Sequence, residues 1–125
     1  MFIQVNPNPL QKSTGDCVIR AISILMDKTW DEIYLLLSVY GFEMKEWGNS
    51  NALWDAFLRD EGYVRNVIPD TCPICYTVAD FCRDNPDGKF LLATGEHVLC
   101  VISGDHYDTW NSAMEHPIFY YAYKN

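Results

Sequence analysis

Cys17 follows the turn-forming run Ser13-Thr14-Gly15-Asp16. After it, the apolar residues Val18, Ile19, Ala21, Ile22, Leu25 and Met26 fall at helical spacing, with Arg20, Ser23 and Asp27 elsewhere on the wheel. Cys17 therefore opens a helix. The unpaired amides and dipole at that end stabilise an anion, and for a thiol the anion is the nucleophile. The plainer reading is a small buried hydrophobe, the common fate of a free cysteine. His97 stands at the mouth of the predicted strand Val98–Ile102, after Thr94-Gly95-Glu96. There it is placed to take the thiol proton and form a thiolate–imidazolium pair.

A third group is needed to hold the imidazole in one tautomer. The next strand, Tyr107-Asp108-Thr109-Trp110-Asn111, offers two. If Gly104 and Asp105 form a two-residue turn, Asp108 lies opposite Val101 and Trp110 opposite Leu99. Side chains alternate along a strand, so Asp108 and Trp110 share the face of His97, and Asn111 points away. A one-residue change in the loop reverses that assignment, so Asn111 stays as the alternative. Gln11, six residues before Cys17, is a candidate second donor, beside the Cys17 amide, for the oxyanion of a thioester-forming attack. Taken singly, Gln11, Asp108 and Asn111 read as loop and turn polarity; the order of all four features is what points to chemistry.

That order resembles the papain-like cysteine peptidases. It is most similar to the compact bacteriocin-processing peptidase domains of peptide exporters, with Gln11 before the Asp16-Cys17 pair, then His97-Val98-Leu99-Cys100-Val101-Ile102, then Asp108. Gly15–Ile22 together with Tyr107–Ser112 also resembles small uncharacterised phage and bacterial proteins of that fold. Thr109 stands where the exporter domains usually carry Pro, and eleven residues between His97 and Asp108 demand a tight hairpin. The resemblance implies a papain-like fold and acyl transfer to Cys17 from a peptide or protein substrate. His97 would be the base, Asp108 the orienting residue and Gln11 an oxyanion donor.

The rest of the chain must position these residues. Its 125 residues are 49% apolar and 14% aromatic, which suits one globular domain over 1–125. Asn6-Pro7-Asn8-Pro9 is an extended or turning entry. A second helix begins at Thr29, with Glu32 completing a capping box, Ile33, Leu36, Leu37 and Tyr40 as its stripe and Gly41 as its stop. A third runs from about Asn51 to Gly62 with Leu53, Trp54, Phe57 and Leu58 inward. Tyr63–Ile68 reads as a strand and Thr77–Arg83 as a short helix. Phe90–Ala93, Val98–Ile102, Tyr107–Asn111 and Ile118–Tyr123 read as further strands. The expected class is α+β, N-terminal helices packed on a C-terminal antiparallel sheet.

Nine Lys and Arg against seventeen Asp and Glu leave a formal charge of −8. Nucleic acid and anionic membrane are poor partners for such a surface. No apolar run approaches ~20 residues, and no charged-then-apolar leader begins the sequence. The five cysteines, at 17, 72, 75, 82 and 100, make an odd count, so reduced thiols in a cytoplasm are expected, with no cofactor. Cys72-Pro73-Ile74-Cys75 has the spacing of half a zinc site, but Cys82 and Cys100 supply no matching pair. It also lacks the strand–helix setting of a thioredoxin-like motif, which leaves thiols in a loop. A different class of function stays open: a protein-binding module, such as a phage or bacterial adaptor or inhibitor, on a degenerate peptidase scaffold. Trp47, Trp54 and Trp110 are candidates for a groove, with core packing the better reading of Trp54. Phe119-Tyr120-Tyr121-Tyr123 reads as an edge or terminal strand, less readily as an interface.

Overall fold

A computed structural model describes residues 1–48 and 50–124. The elements run β1 (Phe2–Gln4), α1 (Cys17–Met26), α2 (Trp30–Met44), α3 (Asn51–Asp60), β2 (Tyr63–Val67), α4 (Val78–Asp84), β3 (Lys89–Ala93), β4 (Val98–Ile102), β5 (Asp105–Asp108) and β6 (Phe119–Tyr123). The class is α+β, with six strands in the order β1-β5-β4-β3-β6-β2. The sheet is mixed rather than antiparallel throughout, because β1 pairs with β5 in parallel. This strand is absent from the sequence reading: three residues are too few to display alternation.

The sheet separates two apolar layers. Leu91, Ala93, Val98, Cys100 and Tyr121 face α1, α2 and α3. Leu92, Leu99 and Val101 face the other way, against Val78, Phe81 and Cys82 of α4. Helix α1 lies in the middle of the first layer and is buried nearly all round. The polar side of its wheel is therefore not solvated: Arg20 and Ser23 are buried, with Ser23 Oγ donating to the Arg20 carbonyl. Arg20 is tolerated there because it pairs with Asp16.

Capping boxes set two of the four helix starts. Thr29 and Glu32 form the capping box of α2, and Thr77 and Asp80 form another on α4. Gly41 does not end α2, which continues to Met44 and stops at Lys45 in the left-handed region. Its smallness is required by packing: a Cβ there would sit 2.9 Å from Leu53 Cδ1 and from the Glu46 carbonyl. Of the expected α2 stripe, Ile33 and Leu37 are buried and Tyr40 half-buried, but Leu36 is exposed.

The β4–β5 turn is Ser103-Gly104, both at positive φ, one residue earlier than expected. Cys100 pairs with Tyr107, so Asp108 comes opposite Leu99 rather than Val101. The register thus moves by two residues, and a shift of two preserves the face. β5 ends at Asp108 instead of running to Asn111. The aromatic strand β6 is neither edge nor terminal in the sheet; it lies between β3 and β2, with Tyr121 1% exposed.

Candidate active site

Three elements meet at one end of the sheet. Cys17 is the first residue of α1 and is half-buried. Buried His97 immediately precedes β4, and buried Asp108 closes β5. The His97 loop is closed by the Thr94 N–H donating to the His97 carbonyl at 2.8 Å. Asp108 reaches His97 because the two are diagonal neighbours on one face of the β4–β5 hairpin.

The His97 Nε2 lies 2.6 Å from Asp108 Oδ2. Asp108 is itself held: Ser112 Oγ donates to Oδ2 at 2.7 Å, and the Thr109 N–H donates to Oδ1 at 2.8 Å. With Asp108 on Nε2, the imidazole still has a second nitrogen to offer, and Cys17 is close enough for each group to shift the other. Burial pushes the Cys17 thiol up, but the hydrogen bonds from His97 and Val98 and the positive charges of His97 and Arg20 outweigh it, so the thiol lies below its ordinary value. Burial likewise pushes His97 down, and here the hydrogen bonds and charges of Asp108 and Cys17 win, raising it to about 9. Both shifts favour thiolate and imidazolium together.

The loop that delivers Cys17 is pinned from beneath. Asp16, whose side chain does not cap α1, accepts from Trp30 Nε1 at 2.8 Å, from Asn8 Nδ2 at 3.2 Å and from Arg20. Burial raises the Asp16 carboxyl, yet these donors bring it below the usual carboxylate range. The indole of Trp110 lies over the His97 ring, centroids 4.1 Å apart, and Trp110 Nε1 donates to Glu115 Oε2 at 3.0 Å.

Two residues from the sequence reading are placed elsewhere. Asn111 Oδ1 lies 3.1 Å from Nε2 of His106, not beside His97. Gln11, exposed and at positive φ, donates its side-chain amide to the carbonyls of Asn6 and Asn8, each at 2.9 Å. The supporting residues Ser112, Asn8 and Trp30 carried no sequence signal, since single polar or aromatic residues far apart in the chain acquire a role only when folding joins them. Trp110 had one: its parity with His97.

The remaining cysteines do not form the expected set of reduced thiols. Cys72 and Cys75 are joined in a disulfide, whereas Cys82 and Cys100 are free and buried on opposite faces of the sheet. The bridge closes a short turn: two residues intervene between the cysteines, and their Cα atoms lie 4.2 Å apart. Among the described residues, no three His, Cys, Asp or Glu side chains gather as metal ligands, and no helix is long and apolar enough to cross a membrane. No family model matches the chain, and neither a curated protein nor a solved structure is significantly similar to it.

Proposed function

We propose that this chain is a cysteine hydrolase of papain-like fold, acting on an amide or ester bond through Cys17, His97 and Asp108. One observation carries the reading. Cys17, at the start of a central helix, lies against the same buried imidazole whose Nε2 is 2.6 Å from the Asp108 carboxylate, and thiol and imidazole each favour the other's charged form. The Cys17 thiolate attacks the carbonyl carbon, and the negative charge moves to its oxygen. The Cys17 N–H, which has no preceding helical carbonyl to serve, faces that charge. The oxyanion collapses, His97 gives its proton to the leaving amine or alcohol, and a thioester remains on Cys17. Neutral His97 then takes a proton from water, which attacks the thioester and releases acid and thiolate. Asp108 holds the imidazolium through both halves. Cys17 must be reduced to act as a nucleophile. The Cys72–Cys75 bridge lies outside the triad.

The test is reaction with an activated ester, p-nitrophenyl acetate, followed by mass mapping. A burst of p-nitrophenolate with acetyl on Cys17, absent in Cys17→Ser, is expected. Acetyl spread over lysines with no burst contradicts the reading. One observation favours a second reading, a binding module without turnover: the Gln11 amide is engaged by two backbone carbonyls, so it is not free to meet an oxyanion.

A further inference from the structure

Arg20 is a charge inside an apolar layer. It is 8% exposed, on a helix whose Val18, Ala21 and Ile22 belong to the core. Its ion-pair partner among the described residues is Asp16, itself 7% exposed. A buried pair of this kind is roughly neutral for stability, because taking two charges out of water costs about what their attraction returns. A well-packed apolar side chain would fill the same space without that cost. Stability therefore does not account for the pair, whereas its position beside the nucleophile does.

Helix α1 places the guanidinium. Arg20 follows Asp16 by four residues and Cys17 by three, and both separations bring side chains together on one helix face. The two neighbours are engaged differently. The Asp16 carboxylate accepts from Trp30 Nε1 at 2.8 Å and Asn8 Nδ2 at 3.2 Å as well as from Arg20, so three parts of the chain hold it. The Arg20 charge is felt at the Cys17 thiol, where it favours the anion. The other charge that favours the anion there is His97, from the loop before β4, and Asp108 of β5 bears in turn on His97. The imidazolium is lost as pH passes about 9, but a guanidinium keeps its charge throughout. Away from water, such a fixed charge also acts more strongly than at the surface.

We infer that Arg20, anchored by Asp16, is a positioning residue of the thiol site: a permanent cation one helical turn from Cys17 that serves as a second counter-charge for the thiolate beside His97. The inference rests on the thiol-hydrolase reading and deepens it, since the charge on the nucleophile is then set by its own helix as well as by the β4 loop. The consequence falls on both halves of the reaction. More of Cys17 is thiolate at neutral pH, and the same anion is the better leaving group when water attacks the thioester.

The experiment follows iodoacetamide labelling of Cys17 against pH, mapped by mass, in the native chain, Arg20→Lys, Arg20→Met and the double variant Asp16→Asn with Arg20→Met. The double variant removes both charges together, so no buried ion is left unpaired, and the Asn oxygen still accepts from Trp30 Nε1. Arg20→Met and the double variant are expected to move the acid limb of labelling to higher pH. Labelling near pH 6 should slow by about threefold or more, with the alkaline plateau unchanged. Arg20→Lys keeps a cation and should stay closer to the native curve than Arg20→Met. The burst from p-nitrophenyl acetate should follow the same order. An acid limb that does not move in the double variant overturns the inference. So does a rate lowered equally at every pH, which marks lost packing rather than lost charge. Failure of the underlying reading looks different: a native Cys17 that labels only as an ordinary thiol overturns both claims. Fast native labelling below pH 7, with the variant curves unmoved, overturns only the role of Arg20.

Discussion

Cys17 and His97 each hold the other's charged form in place, and the signs of their shifts fix the pH behaviour. His97 is raised to about 9, so its contribution to stability is fully present below about 6.5 and is lost as pH climbs through about 9. Cys17 is lowered, so its contribution is present above the ordinary thiol pKa and is lost as pH falls through its folded value. The ion pair exists between the two. Ester hydrolysis by this chain is therefore expected to give a bell-shaped pH profile, with its alkaline limb near pH 9 set by His97. A rate that keeps rising beyond that limb would contradict the assignment. Removing the carboxylate tests Asp108. Asp108→Ala leaves the His97 Nε2 and the Ser112 hydroxyl without their buried acceptor, and is expected to slow acylation roughly 100-fold. Asp108→Asn retains an acceptor oxygen and should lose less; equal rates for both variants would exclude an orienting role. Cys17 and His97 were legible from residue type and place along the chain, whereas Asp108 fell on the His97 face only because the hairpin register moved by an even number of residues. Gln11 was not, since the bonds its amide makes depend on how one exposed loop turns.

Helix ends are decided partly by local signals, and two of the helix starts carry them. Both capping boxes use Thr followed three residues later by an acid, and the one on α2 was readable directly from Thr29 and Glu32. Thr77→Ala removes the hydroxyl acceptor of the Asp80 N–H and leaves only the bond from the residue 77 backbone N–H to the Asp80 carboxylate, a loss of about 1 kcal/mol by chemical denaturation. A change below experimental error would show that the cap is redundant there. The hairpin was harder to read, because Ser103, Gly104 and Asp105 all suit a turn and only tertiary pairing chooses among them. Gly41 shows the other limit. A glycine near a helix end reads as a stop, but its reason for being there is Leu53, a contact with α3 that no local pattern records.

Across the whole molecule, the core joins what the chain keeps apart. Trp54, 2% exposed, stacks on Phe119 and meets Tyr121, tying α3 to a strand near the C-terminus. Trp54→Ala is expected to cost about 3–5 kcal/mol, measured by denaturant unfolding, and a loss under about 1 kcal/mol would mean that the site collapses without penalty. The α+β class was legible because helical period gives way to strand alternation along the sequence. The parallel β1–β5 pairing, the burial of the polar side of α1 and the second layer under α4 were not, since each depends on elements distant in sequence. The same assembly creates the site: Cys17 and His97 are neighbours only in the folded chain. The most direct measurement is the rate of iodoacetamide alkylation at Cys17 against pH, mapped by mass, in the native chain, in His97→Ala and in denaturant. The account predicts fast labelling of the native chain below pH 7, at least about tenfold slower labelling there in His97→Ala, and an ordinary thiol titrating near pH 8.5 once unfolded. Labelling of Cys17 that is the same in all three, or that rises only with the ordinary thiol, would contradict it.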